Sequence, residues 1–287
     1  MATAAQWLQG ARPRTLPAAL VPVAVATAAA TADGHFLWDR ALLALVVSLA
    51  IQVATNYAND YSDGKRGTDD QRVGPMRLVA SGAASPKSVL RAALACFGVA
   101  GLAGLALAAM TTWFLLLVGA LALLAGWFYT GGKRPYGYMG LGEVFVFVFF
   151  GVVAVVGTYY VQTGGVGYSL LLSVPVGLLA VALLVINNLR DIPTDQASGK
   201  MTLAVRIGES GTRRFYVGVI VVSLLLAVAL SAYRPFAWVG VLAAPLAVRP
   251  IRIVLAGAKG RELIRALAMT GALQIVFGAL LSLGLLL

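Results

Sequence analysis

Charged side chains are scarce in this sequence. Asp, Glu, Lys and Arg make up 11% of its 287 residues, while 60% are hydrophobic. Soluble globular domains carry about 25% charged residues, so the composition excludes an ordinary soluble protein. A helix that spans a membrane needs about 20 mostly apolar residues, and apolar runs of this length recur along the chain. The sequence therefore predicts an all-α, polytopic integral membrane protein.

Cysteine and histidine are also nearly absent. The chain has one of each, Cys96 within an apolar run and His35 within a short polar break. One cysteine excludes an internal disulfide framework and a multi-cysteine metal site. One histidine is too few for a histidine-based zinc site. Any chemistry must therefore rest on other side chains.

Polar breaks divide the chain into nine apolar runs. They predict membrane spans near residues 15–32, 41–58, 89–109, 112–130, 142–162, 168–188, 214–232, 236–255 and 264–286. No low-complexity segment or soluble domain interrupts these runs. We therefore expect one transmembrane domain over residues 1–287, built as a bundle of nine helices.

The basic residues indicate how the chain is oriented. The net charge is +11, and nine spans with a cytoplasmic N-terminus place 20 of the 22 Lys and Arg residues on the cytoplasmic side. Only Arg40 and Arg234 fall on the other side. Cytoplasmic loops of membrane proteins are enriched in Lys and Arg, so the charge reflects topology and not a nucleic-acid partner. The predicted location is the cell membrane, with the N-terminus in the cytoplasm.

The acidic residues cluster on the same side, in two segments with one pattern. Each segment has an Asn four residues before its first Asp, and a second Asp three or four residues after the first. Side chains at these spacings share one face of a helix. Pro193 disfavours a helical conformation at Ile192, so we expect a kink or a turn before the last Asp. The first cluster contains Asn56, Asn59, Asp60, Asp63 and Asp69, and the second contains Asn187, Asp191 and Asp195.

Two groups of carboxylates that face each other repel unless a cation lies between them. Mg²⁺ is the natural candidate, because it prefers oxygen ligands, uses one or two carboxylates and fills its shell with water and phosphate. Basic side chains near both clusters can bind phosphate oxygens directly. This combination predicts a Mg²⁺-dependent diphosphate site, and the alternative is that both clusters are ordinary solvated loops. The basic candidates are Lys65, Arg66, Arg72, Arg190, Lys200 and Arg206.

The two clusters resemble the motifs of the UbiA-type intramembrane prenyltransferase superfamily. That family carries two Asp-rich motifs, after the second and the sixth helix of a nine-helix bundle. Its first motif matches Asn59-Asp60-x-x-Asp63, and its second matches Asp191-x-x-x-Asp195. The resemblance covers essentially the whole chain.

Two further features resemble one branch of that family. The commoner first motif has another Asp where this chain has Gly67, and here Asp69 follows two residues later. The loop YTGGKRPYGYMGLGE, residues 129–143, is also similar to the branch that prenylates 1,4-dihydroxy-2-naphthoate in menaquinone synthesis.

The resemblance implies a reaction and a site. A polyprenyl diphosphate would bind both Asp motifs through its headgroup, bridged by Mg²⁺, with its tail in an apolar groove open to the lipid bilayer. Metal and basic side chains would stabilise the departing diphosphate, and the naphthoate ring would attack the allylic cation. Loss of CO₂ would give demethylmenaquinone, with no covalent nucleophile. The implied catalytic residues are Asp60, Asp63, Asp191, Asp195 and Lys200, with Asn56, Asn59, Asp69 and Asn187 as further metal ligands.

The loop 129–143 supplies weaker candidates for binding the aromatic acceptor. Basic residues would neutralise its carboxylate, an acidic residue would bind a ring hydroxyl or act as a base, and tyrosines would form the pocket walls. Each has an alternative role: topology for the basic pair, a favourable helix-start charge for the acid, and an interfacial aromatic belt for the tyrosines. In that order the candidates are Lys133 and Arg134, Glu143, and Tyr129, Tyr136 and Tyr138.

Other functions fit parts of the pattern. A related prenyltransferase would use another aromatic acceptor, such as 4-hydroxybenzoate. The segment Asp60-x-x-Asp63-Gly64 superficially matches the start of a CDP-alcohol phosphotransferase signature, but the rest of that signature does not follow. A transporter of an anionic lipid or metabolite would bind near mid-membrane on broken helices, whereas the polar residues here gather at one face.

Overall fold

The fold is helical throughout the residues that the computed structural model describes, which are 2–68, 74 and 76–287. Asp69 and Arg72, predicted as a metal ligand and a phosphate-binding residue, lie outside the described residues. Ten helical segments carry most of the described chain. They are α1 (Ala4–Gly10), α2 (Pro17–Ala32), α3 (Trp38–Arg66), α4 (Pro86–Met110), α5 (Phe114–Phe128), α6 (Gly142–Thr163), α7 (Ser169–Ala197), α8 (Leu203–Ala232), α9 (Ala237–Leu255) and α10 (Arg261–Leu286).

The described helices make the chain an integral membrane protein. Seven of them are long and apolar enough to cross a membrane, and the number rises to eight if the bent pair Ala4–Thr15 and Pro17–Ala32 forms one span. The helix α5 is also apolar but has only 15 residues, about 22 Å at the usual helical rise. A bilayer core is about 30 Å thick. The all-helical membrane fold is therefore confirmed, whereas the count of nine spans and the orientation stay predictions.

The helix α7 forms the centre of the bundle. Its apolar stretch is 72% buried, against 28–50% for the other candidate spans. It packs against α2, α6, α8 and α10. Because α7 also carries the second aspartate cluster, that cluster is attached to the most firmly packed part of the molecule.

A close contact between two glycines brings α6 against α7. A Cβ added to Gly151 would lie 2.8 Å from the Cα of Gly177, and a Cβ added to Gly177 would lie 2.9 Å from the Cα of Gly151. Both distances are too short for any side chain, so this crossing requires glycine on each helix. Gly151 lies within a π-helical turn, Phe147–Val153, a local irregularity that is frequent at functional sites.

The helix is not interrupted before Asp195, where the sequence predicted a kink or a turn. The helix α7 continues through Pro193 and ends at Ala197, so Asp191 and Asp195 lie on one helical face. Proline disfavours but does not forbid a helix, and here the last turn of α7 is held by burial. Leu189 and Ile192 are both buried in the main hydrophobic core, and this packing outweighs the lost backbone hydrogen bond.

Polar contacts close the end of the bundle that lies away from the aspartate clusters. Arg40 donates a hydrogen bond to the backbone oxygen of Val161 at 2.7 Å. Arg234 pairs with Asp33 and lies 5.0 Å from the ring centre of Tyr168. The two basic residues that the predicted topology leaves outside the cytoplasm are therefore both bound by the protein itself.

Candidate active site

Asp63 of α3 and Asp195 of α7 meet at one lysine. The Nζ atom of Lys200 lies 3.9 Å from Asp63 Oδ2 and 3.6 Å from Asp195 Oδ1. Gly199 has a φ of 74°, which glycine adopts without strain, and the Lys200 N–H donates to the Asp195 backbone oxygen at 2.8 Å. This turn folds Lys200 back over the end of α7. Two carboxylates that are 132 residues apart in sequence thus share one ammonium group.

Lys200 and Tyr138 both remain protonated in this setting. Burial lowers the pKa of Lys200, but the carboxylates around it, Asp63 and Asp195 foremost, together raise it more, so the net pKa lies above its ordinary value. Burial and the carboxylate of Asp63 raise the pKa of Tyr138. Its hydroxyl donates a hydrogen bond to Asp63 Oδ1 at 2.9 Å. Asp63 therefore accepts from a neutral phenol and faces a cation.

The first aspartate of each cluster has protein donors of its own. Asp60 is 1% exposed and accepts hydrogen bonds from the backbone N–H groups of Leu78 and Val79, at 2.7 and 3.0 Å. Asp191 accepts a two-pronged hydrogen bond from the Nε and Nη2 atoms of Arg190, at 2.7 and 2.8 Å. Arg190, predicted to bind diphosphate, is thus placed on the carboxylate beside it.

Two asparagines that line the cavity have their amide nitrogens bound to backbone oxygens. The Nδ2 atom of Asn56 donates to the backbone oxygen of Ala11 at 2.8 Å, and that of Asn187 donates to the backbone oxygen of Leu183 at 3.0 Å. Both asparagines line the cavity, so the amide oxygen is the group left for a hard cation. Asn59 differs, because its Oδ1 accepts from the hydroxyl of Thr130 at 2.7 Å.

Arg66 holds the loop 129–143 against α3. Its guanidinium donates to the backbone oxygens of Thr130 and Gly132 and lies 5.2 Å from the ring centre of Tyr138. Arg66 therefore positions the tyrosine that donates to Asp63. Four other basic candidates in the described part of the chain are exposed at the surface, and none of them is among the cavity-lining residues. They are Lys65, Lys133, Arg134 and Arg206.

A cavity begins at Asp63, Asp191 and Lys200 and runs into the membrane-spanning part of the bundle. Along α6 its lining extends from Phe145 to Val161, about 24 Å at the helical rise. Beyond the polar end, apolar side chains of α2 to α6 form most of the wall. A cavity with one charged end and a long apolar channel fits a ligand with a charged head and a hydrocarbon tail.

Aromatic rings stand where the polar end meets the apolar channel. Tyr136 stacks on Phe145 with ring centres 3.9 Å apart, and Tyr129 meets Tyr136 edge-on at 5.5 Å. All three rings line the cavity. Burial raises the pKa of Tyr136, so this phenol stays neutral. The tyrosines predicted as pocket walls are placed in this position.

Glu143 lies at the start of α6, behind the cavity wall. It is 5% exposed, and its Oε1 accepts a hydrogen bond from Asn188 Nδ2 at 2.9 Å. Its Oε2 has no hydrogen-bond partner among the described residues. Asn188 lines the cavity, so the carboxylate fixes the orientation of an amide that a ligand can reach.

The sequence did not single out several residues that line the cavity. Arg12 and Arg77 were explained by topology alone, yet both lie in the wall of its polar end. Arg12 has a φ of 54°, the only positive φ at a non-glycine residue in the described part of the chain. Strained backbone of this kind concentrates at functional sites. Asn188, which follows the predicted Asn187, was also missed, although two adjacent asparagines before an Asp were a visible signal.

The donor set fits Mg²⁺. Asn56, Asp63 and Asn187 line the polar end of the cavity together with Lys200, and Asp195 lies 3.6 Å from the Lys200 ammonium. No group of three or more Asp, Glu, His or Cys side chains in the described residues is close enough to hold a metal unaided. Mg²⁺ commonly uses only one or two carboxylates and completes its shell with water and substrate phosphate, so this arrangement suits an ion that arrives with a phosphate ligand.

The fold and the site together define a class, a helical membrane enzyme whose cavity joins a charged end to a long apolar channel. Comparison with known proteins identifies the family within this class. The model of the UbiA prenyltransferase family matches residues 19–272, and the chain belongs to this family.

Individual relatives match almost the whole chain. A Mycobacterium tuberculosis protein named 1,4-dihydroxy-2-naphthoate octaprenyltransferase is 51% identical over 278 residues, covering 96% of this chain and 95% of the relative. An Escherichia coli protein with the same name is 41% identical over 260 residues, covering 87% and 84%. The solved structure of a UbiA homolog from Archaeoglobus fulgidus, bound to DMAPP and Mg²⁺, covers 98% of this chain and 99% of its own, with a TM-score of 0.64 and 17% identity. That last similarity shows the shared fold.

Proposed function

We propose that this protein transfers a polyprenyl chain from a polyprenyl diphosphate to 1,4-dihydroxy-2-naphthoate, in menaquinone biosynthesis. The observation that carries the proposal is the 51% identity, over 96% of the chain, to a relative named for this reaction. The cavity supports it independently, because it combines a charged end, an aromatic middle section and a long apolar channel. Family membership argues against the CDP-alcohol phosphotransferase and the transporter.

The polar end would hold the diphosphate of the donor. Asp63 and Asp195, with the amide oxygens of Asn56 and Asn187, would bind Mg²⁺. When bound, this ion supplies positive charge that stabilises the departing diphosphate. Lys200 is the protein's own cation at the same place, and it is positioned to bind a phosphate oxygen by a charge-assisted hydrogen bond.

The remaining cavity residues would bind and orient the two reacting carbons. Tyr129, Tyr136 and Phe145 line the cavity as one aromatic cluster, and aromatic rings stabilise nearby positive charge. Arg12 and Arg77, in the wall of the polar end, are the cations available to the naphthoate carboxylate or the leaving diphosphate.

The overall reaction balances without a redox partner. The donor C–O bond breaks and the diphosphate keeps the electron pair. The ring carbon that bears the carboxylate forms the new C–C bond, and the carboxylate leaves as CO₂, which returns its electron pair to the ring. The immediate product is the quinol, whose later oxidation gives demethylmenaquinone. The protein therefore needs no covalent nucleophile, in agreement with its single cysteine and single histidine.

The topology that we propose has nine spans in one domain, an N-terminus in the cytoplasm and the site at the cytoplasmic face of the cell membrane. The two shorter helices, α2 and α5, would complete the nine. The distribution of 20 of the 22 basic residues supports this orientation. So does the position of Arg40 and Arg234 at the end of the bundle away from the aspartate clusters.

A direct assay tests the proposal. Purified protein in detergent is incubated with octaprenyl diphosphate, Mg²⁺ and 1,4-dihydroxy-2-naphthoate, and the product is followed by mass. We expect a prenylated naphthoquinol that requires Mg²⁺ and disappears with a chelator. Turnover of 4-hydroxybenzoate in place of the naphthoate would keep the family and overturn the acceptor. Binding of the diphosphate without turnover of either acceptor would overturn the enzyme assignment.

A further inference from the structure

Three glycines in the apolar channel have no packing reason to be glycine. Gly104 of α4, Gly119 of α5 and Gly157 of α6 all line the cavity. A Cβ added to any of them would meet no atom of the described residues within 4 Å, beyond its chain neighbours and its own helix backbone. Gly126 also lines the cavity but differs, because its added Cβ would lie 2.7 Å from the hydroxyl of Thr55.

Glycine at such positions has an energetic cost that packing does not offset. Within a helix, glycine is less stabilising than alanine, because it loses more backbone freedom on folding. At Gly151 that cost is explained by the close approach of α7. At Gly104, Gly119 and Gly157 the space that a side chain would fill belongs to the channel. Three helices thus leave room along the apolar part of one cavity.

The distance of Gly157 from the aromatic cluster can be compared with the length of the donor's prenyl tail. Gly157 follows Phe145 by 12 residues on α6, about 18 Å along the helix. An extended isoprene unit has four chain bonds and is about 5 Å long. The section near Gly157 therefore meets about the fourth unit of a donor whose first carbon reacts beside Phe145. A two-unit donor does not reach this section, whereas an eight-unit donor must pass it.

The far end of the channel gives a long tail little room to continue straight. There, Arg40 binds the backbone oxygen of Val161, and Gln162 binds the hydroxyl of Thr27 and the N–H of Leu37. These contacts connect the ends of α2, α3 and α6. A long tail that follows the cavity reaches these contacts just beyond the section near Gly157.

We propose that Gly104, Gly119 and Gly157 determine the width of the apolar channel that holds the prenyl tail. They thereby determine whether long polyprenyl donors are accepted. This inference rests on the proposed function and adds a residue-level basis for selection by tail length. A side chain at any of the three positions would project into the path of the fourth and later isoprene units. It would leave the path of the first two units clear.

The test compares two donors in the same variants. Gly104→Leu, Gly119→Leu and Gly157→Leu are purified and assayed with geranyl diphosphate and, separately, octaprenyl diphosphate, using 1,4-dihydroxy-2-naphthoate and Mg²⁺. We expect the ratio of kcat/KM for the octaprenyl donor to that for the geranyl donor to fall at least tenfold. Gly98→Leu in α4 and Gly218→Leu in α8 are the matched controls, because both sites are open and neither glycine is among the described cavity residues. Their ratios should equal that of the unmodified protein.

The outcomes separate the two proposals. If the unmodified protein transfers neither donor to the naphthoate, the proposed function fails. If it transfers both and the leucine variants keep the same ratio, the channel proposal fails. Should a leucine variant lose both donors, the series Gly157→Ala and Gly157→Val decides: the ratio must fall as side-chain volume rises, and a flat ratio overturns the proposal.

Discussion

The two aspartate clusters share one sequence pattern but are held in different ways. The first Asp of one cluster, Asp60, accepts from two backbone N–H groups, whereas the first Asp of the other, Asp191, is paired with the guanidinium of Arg190. The second Asp of each, Asp63 and Asp195, meets its counterpart at Lys200. The first position is therefore fixed by local partners that differ, and the second position converges on a shared cation. The similar sequence pattern of the two clusters therefore corresponds to the contact with Lys200 that their second Asp residues share. It does not extend to the partners of the first Asp residues, which differ.

The largest expected effect is the loss of kcat when the second Asp of either cluster is replaced, compared with replacement of an exposed acidic residue. Asp63→Asn or Asp195→Asn removes one of the two carboxylates that would hold Mg²⁺ and the diphosphate. We expect kcat to fall about 100- to 1,000-fold, the range for loss of one preorganised electrostatic group, with a higher Mg²⁺ requirement. Rates measured over a range of Mg²⁺ concentrations check this. The exposed Glu262→Gln is the matched control, and wild-type rates in both aspartate variants would exclude them from the site.

The next effect tests what Lys200 does between the two carboxylates. The Lys200 ammonium and a divalent cation compete for Asp63 and Asp195. Lys200→Met removes the competitor, so Mg²⁺ without substrate should raise the melting temperature more in the variant than in the unmodified protein. It also removes a phosphate-binding cation, so turnover should fall about 10- to 100-fold.

These two readouts are expected to move in opposite directions. Thermal unfolding in detergent is followed against Mg²⁺ concentration, beside steady-state rates. The exposed Lys65→Met serves as the control for loss of one positive charge. Weaker Mg²⁺ stabilisation in Lys200→Met than in the unmodified protein would contradict the competition.

A smaller effect, on stability, distinguishes the first positions of the two clusters. Asp191→Asn leaves the guanidinium of Arg190, whose side chain is 1% exposed, without its carboxylate, and breaking a buried ion pair costs about 3–5 kcal/mol. Asp60→Asn keeps an amide oxygen for one backbone donor and loses the other bond, at about 1–3 kcal/mol. Melting temperatures should therefore fall more for Asp191→Asn.

A double substitution sharpens this contrast. Arg190→Met with Asp191→Asn removes both buried charges, so the melting temperature should recover above that of Asp191→Asn alone. No recovery would contradict the unpaired guanidinium as the cause of the loss, and a larger loss for Asp60→Asn than for Asp191→Asn would reverse the expected order of the two supports.

Much of the fold could be predicted because its signals are local. Apolar runs of about 20 residues identify membrane helices, and Asn and Asp at spacings of three and four indicate one helical face. Pro193 misled the prediction because its local preference is opposed by burial of Leu189 and Ile192. That packing depends on helices far away in sequence.

The arrangement of the site was harder to predict from sequence, because it also depends on contacts between residues that are far apart along the chain. Lys200 lies between Asp63 and Asp195 only because α3 and α7 approach each other in the folded chain. Arg12 and Arg77 were missed because a basic residue near a span end already satisfies the positive-inside pattern. A signal that serves topology thus conceals a position in the cavity wall, which becomes visible only in the folded chain.

The smallest effect concerns the residue that follows the first Asn of each cluster. In one cluster this residue is Tyr57, which donates to the backbone oxygen of Trp7 and so fixes α1. In the other it is Asn188, which donates to Glu143 and lines the cavity. Asn188→Ala should raise KM for 1,4-dihydroxy-2-naphthoate about tenfold, as expected for one lost hydrogen bond to a ligand, and leave KM for the prenyl donor within about twofold.

The matching change in the first cluster should act on stability instead. Tyr57→Phe removes only the hydrogen bond to α1, so the free energy of unfolding should fall by about 1 kcal/mol and the melting temperature should fall slightly. Both KM values should stay the same. Glu143→Gln should reproduce part of the Asn188→Ala effect, because the amide is then less firmly oriented. A change in the donor KM for Asn188→Ala, with the acceptor KM unaltered, would place Asn188 with the diphosphate and remove the distinction between the two clusters at this position.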